Sequence, residues 1–139
     1  MVEGSKKDPL LAASLAFSVL LVAGVLTFAG PCVHDDGTSA ACLMASQVLV
    51  ATGVLAALAS LVAFVVRPSA VAGALALVAA VAGAFAVLAP GNIFGLCMMQ
   101  TMHCWTTMRP FALVCGAALA ICALVAAFRL FRRGKGDSR

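Results

Sequence analysis

Four uninterrupted runs of apolar residues constrain the fold of this 139-residue chain more than any other feature. They cover residues 10–29, 43–66, 70–89 and 111–128, and none contains a charged residue. A helix needs about 20 mostly apolar residues to cross a hydrocarbon core about 30 Å thick. Because the runs lack the apolar/polar alternation of a transmembrane β-barrel strand, the sequence predicts an all-α, four-helix transmembrane bundle.

Composition excludes a water-soluble domain. Hydrophobic residues make up 64% of the chain, charged residues only 10%, and the mean hydropathy is +1.14. A soluble domain of this size needs far more charge at its surface. The first run is also longer than the apolar region of a signal peptide, which is about 7–15 residues. We therefore expect a single integral membrane domain over residues 1–139, with the lipid bilayer as its main partner.

The distribution of basic residues predicts the orientation. Eight of the nine Lys and Arg residues lie before the first run, between the second and third, or after the fourth; Arg109 is the exception. Basic residues favour the cytoplasmic side. We expect both termini inside a prokaryotic cytoplasmic membrane, with external loops at 31–42 and 90–110. The basic tail at 129–139 is interpreted as an orientation anchor that touches lipid head groups, not as a nucleic-acid site.

Four of the six cysteines lie in or beside the predicted external loops: Cys32, Cys42, Cys97 and Cys104. An oxidising compartment favours disulfides. In one continuous helix, Cys97 and Cys104 would have Cα atoms about 10 Å apart, beyond the roughly 7 Å that a disulfide tolerates. Either a turn breaks this segment, or its cysteines pair across to Cys32 and Cys42, which is the preferred interpretation. Cys115 and Cys122 are expected to be small buried apolar residues.

The segment 97–108, CMMQTMHCWTTM, supports two alternative functions. Its Cys, Met and His side chains suit copper or haem, and the candidate ligands are Met98, Met102, His103 and Cys104. Four-helix membrane proteins that pass electrons from external thiols to quinone resemble this chain in helix count and Cys-bearing loops, but their usual Cys-x-x-Cys is missing here. Trp105 and Arg109 are expected to anchor the segment at the membrane interface.

The predicted spans contain no ionisable groups of the kind that relay protons in pumps, so an autonomous proton-coupled transporter is not expected, whereas a passive or oligomeric pore stays open. No catalytic residue is assigned. Small residues four apart, which let helices approach closely, occur in the fourth run at Ala112, Gly116 and Ala120. The third run has a similar stripe at Ala72, Ala76, Ala80 and Ala84. Six polar residues in the spans are each expected to bond a neighbouring helix or a backbone carbonyl: Ser14, Ser18, Thr27, Gln47, Thr52 and Ser60.

The run Met102-His103-Cys104-Trp105-Thr106-Thr107, on a chain with four spans, resembles an uncharacterised family of small prokaryotic four-helix membrane proteins. That family carries a Met-x-Cys-(His/Trp)-Thr signature and is sometimes encoded beside MacB/FtsX-type ABC exporters. Met102, Cys104 and a following Thr match the signature, whereas His103 precedes the Cys. The resemblance implies a non-enzymatic accessory or scaffold subunit of a membrane assembly. Its partner would be a membrane protein or a second copy, and no cofactor is predicted.

We expect Cys32, Cys42, Cys97 and Cys104 to be fully and stably oxidised in the purified protein, because an external compartment favours disulfides. Alkylation without reductant, followed by mass spectrometry, measures this directly. The four loop cysteines should resist labelling until a reductant is added, whereas Cys115 and Cys122 should be labelled on denaturation alone. Partial oxidation that changes with added quinone would support the redox alternative instead.

Overall fold

The computed structural model describes residues 9–28, 40–66, 69–93 and 104–137. They form four α-helices: α1 (Pro9–Thr27), α2 (Ala40–Val65), α3 (Ser69–Leu88) and α4 (Arg109–Asp137). All four are long and apolar enough to span a membrane, which indicates a multi-pass membrane protein. The predicted all-helical fold with four membrane-spanning helices is confirmed, and the direction in which the chain crosses the membrane stays a prediction.

The helices form a ring in chain order. α2 packs against α1 and α3, α4 packs against α3, and α1 packs against α4 to close the ring. Successive helices run in opposite directions. We call the end that carries Thr27 and Arg109 the loop end, and the end that carries Pro9 and Asp137 the tail end. Because the ring follows chain order, α2 lies diagonally opposite α4.

The interior consists of three apolar clusters stacked along the bundle, and alanine is the commonest residue in them. One partly buried phenylalanine packs against each cluster: Phe111 at the loop end, Phe17 in the middle and Phe64 at the tail end. Large side chains such as Leu26 and Val65 are exposed on the outside. An apolar exterior around a small-residue interior is the arrangement expected of a bundle surrounded by lipid. The loop-end cluster consists of Leu21, Val25, Ala45, Leu49, Ala86, Met108, Ala112 and Cys115.

α3 and α4 approach each other closely at Gly83. A Cβ atom at this position would lie 2.9 Å from the backbone nitrogen of Ala120 and 3.0 Å from the carbonyl oxygen of Gly116. The predicted alanine stripe of α3 only partly faces inward, because Ala84 is exposed whereas Ala72, Ala76 and Ala80 are buried. Residues four apart turn by about 40° around a helix at each step, so a straight stripe leaves the interface. Gly83 takes the contact position instead.

Most polar side chains within the helices bond their own backbone. Five hydroxyls donate to a carbonyl three or four residues earlier, at 2.6–2.9 Å: Ser14, Ser18, Thr27, Ser46 and Thr52. The Ser14 hydroxyl also lies 3.1 Å from that of Ser60, which links α1 to α2. Gln47 departs from the expectation, because it is exposed on the outside of α2.

α4 continues well past the apolar run that ends at residue 128. Its helical backbone reaches Asp137 and so includes most of the segment interpreted as a basic tail. Leu130 is 8% exposed in the tail-end cluster, and the Phe131 ring lies over Gly73 of α3. Lys and Arg are good helix formers, so the loss of hydropathy at Arg129 does not end the helix. These contacts hold the last turns of α4 against the bundle.

Substituting Gly83 with Ala should destabilise the protein. Gly-to-Ala in a helix otherwise stabilises by about 1 kcal/mol, but overpacking against the α4 backbone costs about 1–3 kcal/mol. Gly136→Ala is the matched control, since a Cβ there meets nothing within 4 Å. Thermal unfolding in detergent, followed by circular dichroism, should give a lower Tm for Gly83→Ala than for Gly136→Ala. Equal values would contradict the tight α3–α4 contact.

Candidate functional site

Among the described residues, the loop end holds Trp105, Met108 and Arg109, and a break in the helix shapes its first part. Pro90 has φ −75° and ψ 119°, and Gly91 has φ 89°, so the helical backbone stops after Ala89. Proline cannot donate the next helical hydrogen bond, and a positive φ strains any residue with a side chain. Ala89 and Pro90 are buried, so the chain leaves α3 while still packed against the bundle.

The chain enters α4 through a single wide helical turn, Cys104–Met108. Met108 is fully buried in the loop-end cluster, where it joins residues from all four helices. A buried Met fills irregular space between apolar neighbours. Met108 therefore fixes the turn to the core, and this methionine of the 97–108 segment is a packing residue.

Trp105 and Arg109 form a pair on the outer surface of this turn. The guanidinium carbon of Arg109 lies 4.7 Å from the centroid of the Trp105 ring, and both residues are half-buried. Residues four apart are neighbours on a helix surface, and a cation over an indole is stabilised by the charge distribution of the ring. The structure thus brings the two predicted interface anchors together. Their insertion among lipid head groups stays a prediction.

Phe111 connects the start of α4 to the end of α1. Its ring meets that of Phe28 edge to face, with centroids 4.9 Å apart and an angle of 74° between the planes. The same ring lies directly on Gly24, where a Cβ atom would overlap it. Sequence reasoning did not find this contact, because Gly24 has no small residue four positions away that marks an interface. The glycine accommodates an aromatic ring, not another helix backbone.

Most of the predicted disulfide and metal residues lie outside the described residues: Cys32, Cys97, Met98, Met102 and His103. Only the backbone is described for Cys42, in the first turn of α2, and for Cys104, at the start of the wide turn. Within the described ranges, no three His, Cys, Asp or Glu side chains come together to hold a metal ion. The disulfide, copper and haem assignments stay predictions. Cys115 is buried, Cys122 is half-buried, and neither forms a disulfide.

The three small residues predicted for helix packing in α4 lie within the bundle. Ala112 is fully buried in the loop-end cluster. A Cβ atom at Gly116 would lie 2.9 Å from the Val87 side chain and 3.0 Å from the carbonyl oxygen of Gly83. Ala120 contacts Gly83 through its backbone. These residues set the spacing between α3 and α4, directly below the wide turn.

A family model matches most of the chain. Residues 14–129 match the model described as Domain of unknown function (DUF4418). The chain belongs to this family. Comparison with curated proteins and with solved structures gives no match. The predicted resemblance to an uncharacterised family is confirmed at this level, whereas the Met-x-Cys signature and the exporter association stay predictions.

The DUF4418 match extends from the first turns of α1 to Arg129 in α4. It includes the Gly24–Phe111 contact, the Gly83–Gly116 contact and the turn held by Met108. It ends before the cations at the end of α4, Arg132, Arg133 and Lys135. The matched region is therefore the membrane-spanning bundle with its loop end.

Replacing Met108 tests whether its side chain serves packing or chemistry. Met108→Ala should destabilise the protein by about 2–5 kcal/mol, because it leaves a cavity in the core. Met108→Leu keeps the volume and removes the sulfur, and should cost less than about 1.5 kcal/mol. Unfolding in detergent measures both. A Leu variant as unstable as the Ala variant would show that the thioether itself is needed.

Proposed function

We propose that this DUF4418 protein is a non-enzymatic accessory or scaffold subunit of a larger assembly in a prokaryotic cytoplasmic membrane. Its α2 helix docks against a membrane-protein partner, with Gln47 at the centre of the contact. Both termini are inside, and the loop end, stabilised by disulfides, faces outward.

The observation that carries this proposal is the exposed carboxamide of Gln47. Gln47 lies between Ala45 and Leu49, which are both fully buried in the loop-end cluster. Two residues along a helix turn by about 200°, so Gln47 points to the opposite, outer side of α2 at the same depth. A side-chain amide on the outside of a membrane helix gains about 0.6–1.7 kcal/mol from a hydrogen bond to a neighbouring helix. A polar group on the partner helix would supply that hydrogen bond.

The next turn of α2 supports a close contact at this place. Ala51 is exposed four residues after Gln47, on the same side of the helix. A small residue beside a glutamine lets a second helix approach closely enough for an interhelical hydrogen bond. The two residues form the docking face, which we define as Gln47 and Ala51.

The interior supports a scaffold in preference to a pump. Among the described residues, the buried polar side chains are all serines: Ser14, Ser18, Ser46 and Ser60. Ser14, Ser18 and Ser46 donate to carbonyls of their own helices, and Ser60 lies against Ser14. Proton relays and ion sites at bilayer depth use ionisable side chains. The polar groups left for function therefore lie on the outside of the bundle and in its loops.

Charge supports the proposed orientation. Arg129, Arg132, Arg133 and Lys135 are exposed at the tail end, whereas Arg109 is the described cation of the loop end. Positive residues favour the cytoplasmic side. The loop end, with Cys42 in α2, Cys104 in the wide turn and the connections that contain Cys32 and Cys97, would then face an oxidising compartment. A permease component of an ABC-type exporter is the proposed partner, from the family resemblance of the Met102–Thr107 run.

Variants of the docking face should lose the partner in a pull-down from native membranes in mild detergent. Interhelical hydrogen bonds in membranes contribute about 0.6–1.7 kcal/mol, so Gln47→Leu should weaken association by about 3- to 20-fold. Ala51→Leu should also weaken it by blocking close approach. Ala74→Leu is the matched control, because Ala74 is exposed on α3, away from the docking face. Quantitative mass spectrometry of the co-purified proteins gives the ratio.

The wild-type protein should carry a transporter subunit in stoichiometric amount. A monodisperse homo-oligomer without another protein would contradict the accessory role. Equal losses for Ala51→Leu and Ala74→Leu would place the contact elsewhere than on the docking face.

A further inference from the structure

The end of α4 carries a dense group of cations on a rigid helix. α4 has 29 residues, which corresponds to about 43 Å at 1.5 Å per residue, whereas the hydrocarbon core is about 30 Å thick. The part beyond Phe128 therefore extends into the head-group region. Four exposed cations follow within seven residues: Arg129, Arg132, Arg133 and Lys135. We call these four residues the basic turns.

The basic turns lie on the lipid-facing side of α4. With about 100° per residue, the four cations occupy an arc of about 160° that includes Phe128. Leu130 points to the other side, where it is buried in the tail-end cluster. Towards the membrane centre, Ile121, Val125 and Phe128 are exposed in the same arc and Leu124 is exposed at its edge; we call these four residues the apolar stripe. The stripe continues directly into the cations.

Two contacts hold side chains in place where the apolar stripe meets the basic turns. The guanidinium carbon of Arg132 lies 4.6 Å from the centroid of the Phe128 ring, so the cation is held against the end of the stripe. On the next face of the helix, the ring of Phe131 covers Gly73 of α3, at 3.1 Å from the position that a Cβ would take. The helix end is thereby fixed on the bundle. Preorganised donors lose less freedom when they bind an anion.

We propose that the apolar stripe and the basic turns together bind an anionic phospholipid. The acyl chains lie along Ile121, Leu124 and Phe128. The phosphate accepts hydrogen bonds from the guanidinium groups of Arg129 and Arg132, which suit bidentate phosphate contacts. The apolar stripe selects a lipid over a soluble anion, because it supplies the surface that acyl chains cover. This site is independent of the docking face on α2.

Native mass spectrometry of the full chain, released from a neutral detergent, tests the proposal with phosphatidylglycerol and phosphatidylcholine of equal chain length. The wild-type protein should bind phosphatidylglycerol at least about fivefold more tightly, since each basic residue at an anionic surface contributes roughly that factor. The double variant Arg129→Gln/Arg132→Gln should lose this preference. Its Tm in the neutral detergent should match that of the wild type, because both side chains are exposed.

Arg109→Gln is the matched control. It removes an arginine that stacks on an aromatic ring four residues earlier, as Arg132 does, but at the other end of α4. This variant should keep the preference for phosphatidylglycerol. An equal loss in Arg109→Gln, or no preference in the wild type, would overturn the proposal. Displacement of phosphatidylglycerol by millimolar inorganic phosphate would overturn it as well, because it would reveal a simple anion site.

Discussion

The contact between the backbones of α3 and α4 sets the spacing of the whole bundle. In lipid, no hydrophobic effect drives helices together, so association depends on dispersion contacts and therefore on close approach. Gly83 and Gly116 allow that approach, because neither has a Cβ to separate the two helices. The alanine-rich clusters on either side of this contact match the short distance. Larger side chains in these clusters would separate α3 from α4.

Aromatic rings pack at the edges of the alanine-rich core. Phe111 packs on Gly24 and against Phe28, so the α1–α4 side of the ring closes through a ring-on-glycine contact. Phe17 and Phe64 pack against the middle and tail-end clusters. One rigid ring at the edge of each layer fills space that alanine leaves open, at little cost in side-chain entropy. The helices are thus closely spaced around an alanine-rich core, and phenylalanine rings pack at the edges of that core.

The sequence was sufficient for the membrane spans but not for their contacts. Continuous apolar runs predict helices because a lipid-exposed backbone must satisfy its own hydrogen bonds. Helix ends are harder, and α4 shows why: hydropathy falls at Arg129, yet the helix continues to Asp137 because Leu130 and Phe131 pack on the bundle. Gly83 was missed because the regular alanine stripe beside it was the stronger pattern. Contact positions depend on how the helices are rotated, and uniformly apolar runs carry little information on rotation.

In the candidate site, too, the sequence did not show which way each helix is rotated. Trp105 and Arg109 were each predicted as interface anchors, and the helical turn places them on one side, where the cation lies over the ring. Met108, in contrast, belongs to a segment rich in soft ligands, and only its burial shows that it is a core residue. Gln47 was expected to bond a neighbouring helix or a backbone carbonyl, yet it is exposed. A glutamine in an apolar run does not reveal which side of the helix it occupies.

The two outward-facing features lie on diagonal helices, which has a consequence for any assembly. α2 and α4 are separated in the ring by α1 and α3, so the docking face and the lipid site point away from each other. Gln47 lies near the loop end, whereas Arg132 lies at the tail end. A partner helix on α2 therefore leaves the lipid-facing side of α4 accessible. Because distant sites without shared neighbours act nearly additively, removing the lipid contacts should leave partner binding unchanged. With this arrangement, the bundle can bind a protein through α2 while α4 remains in contact with the surrounding lipid.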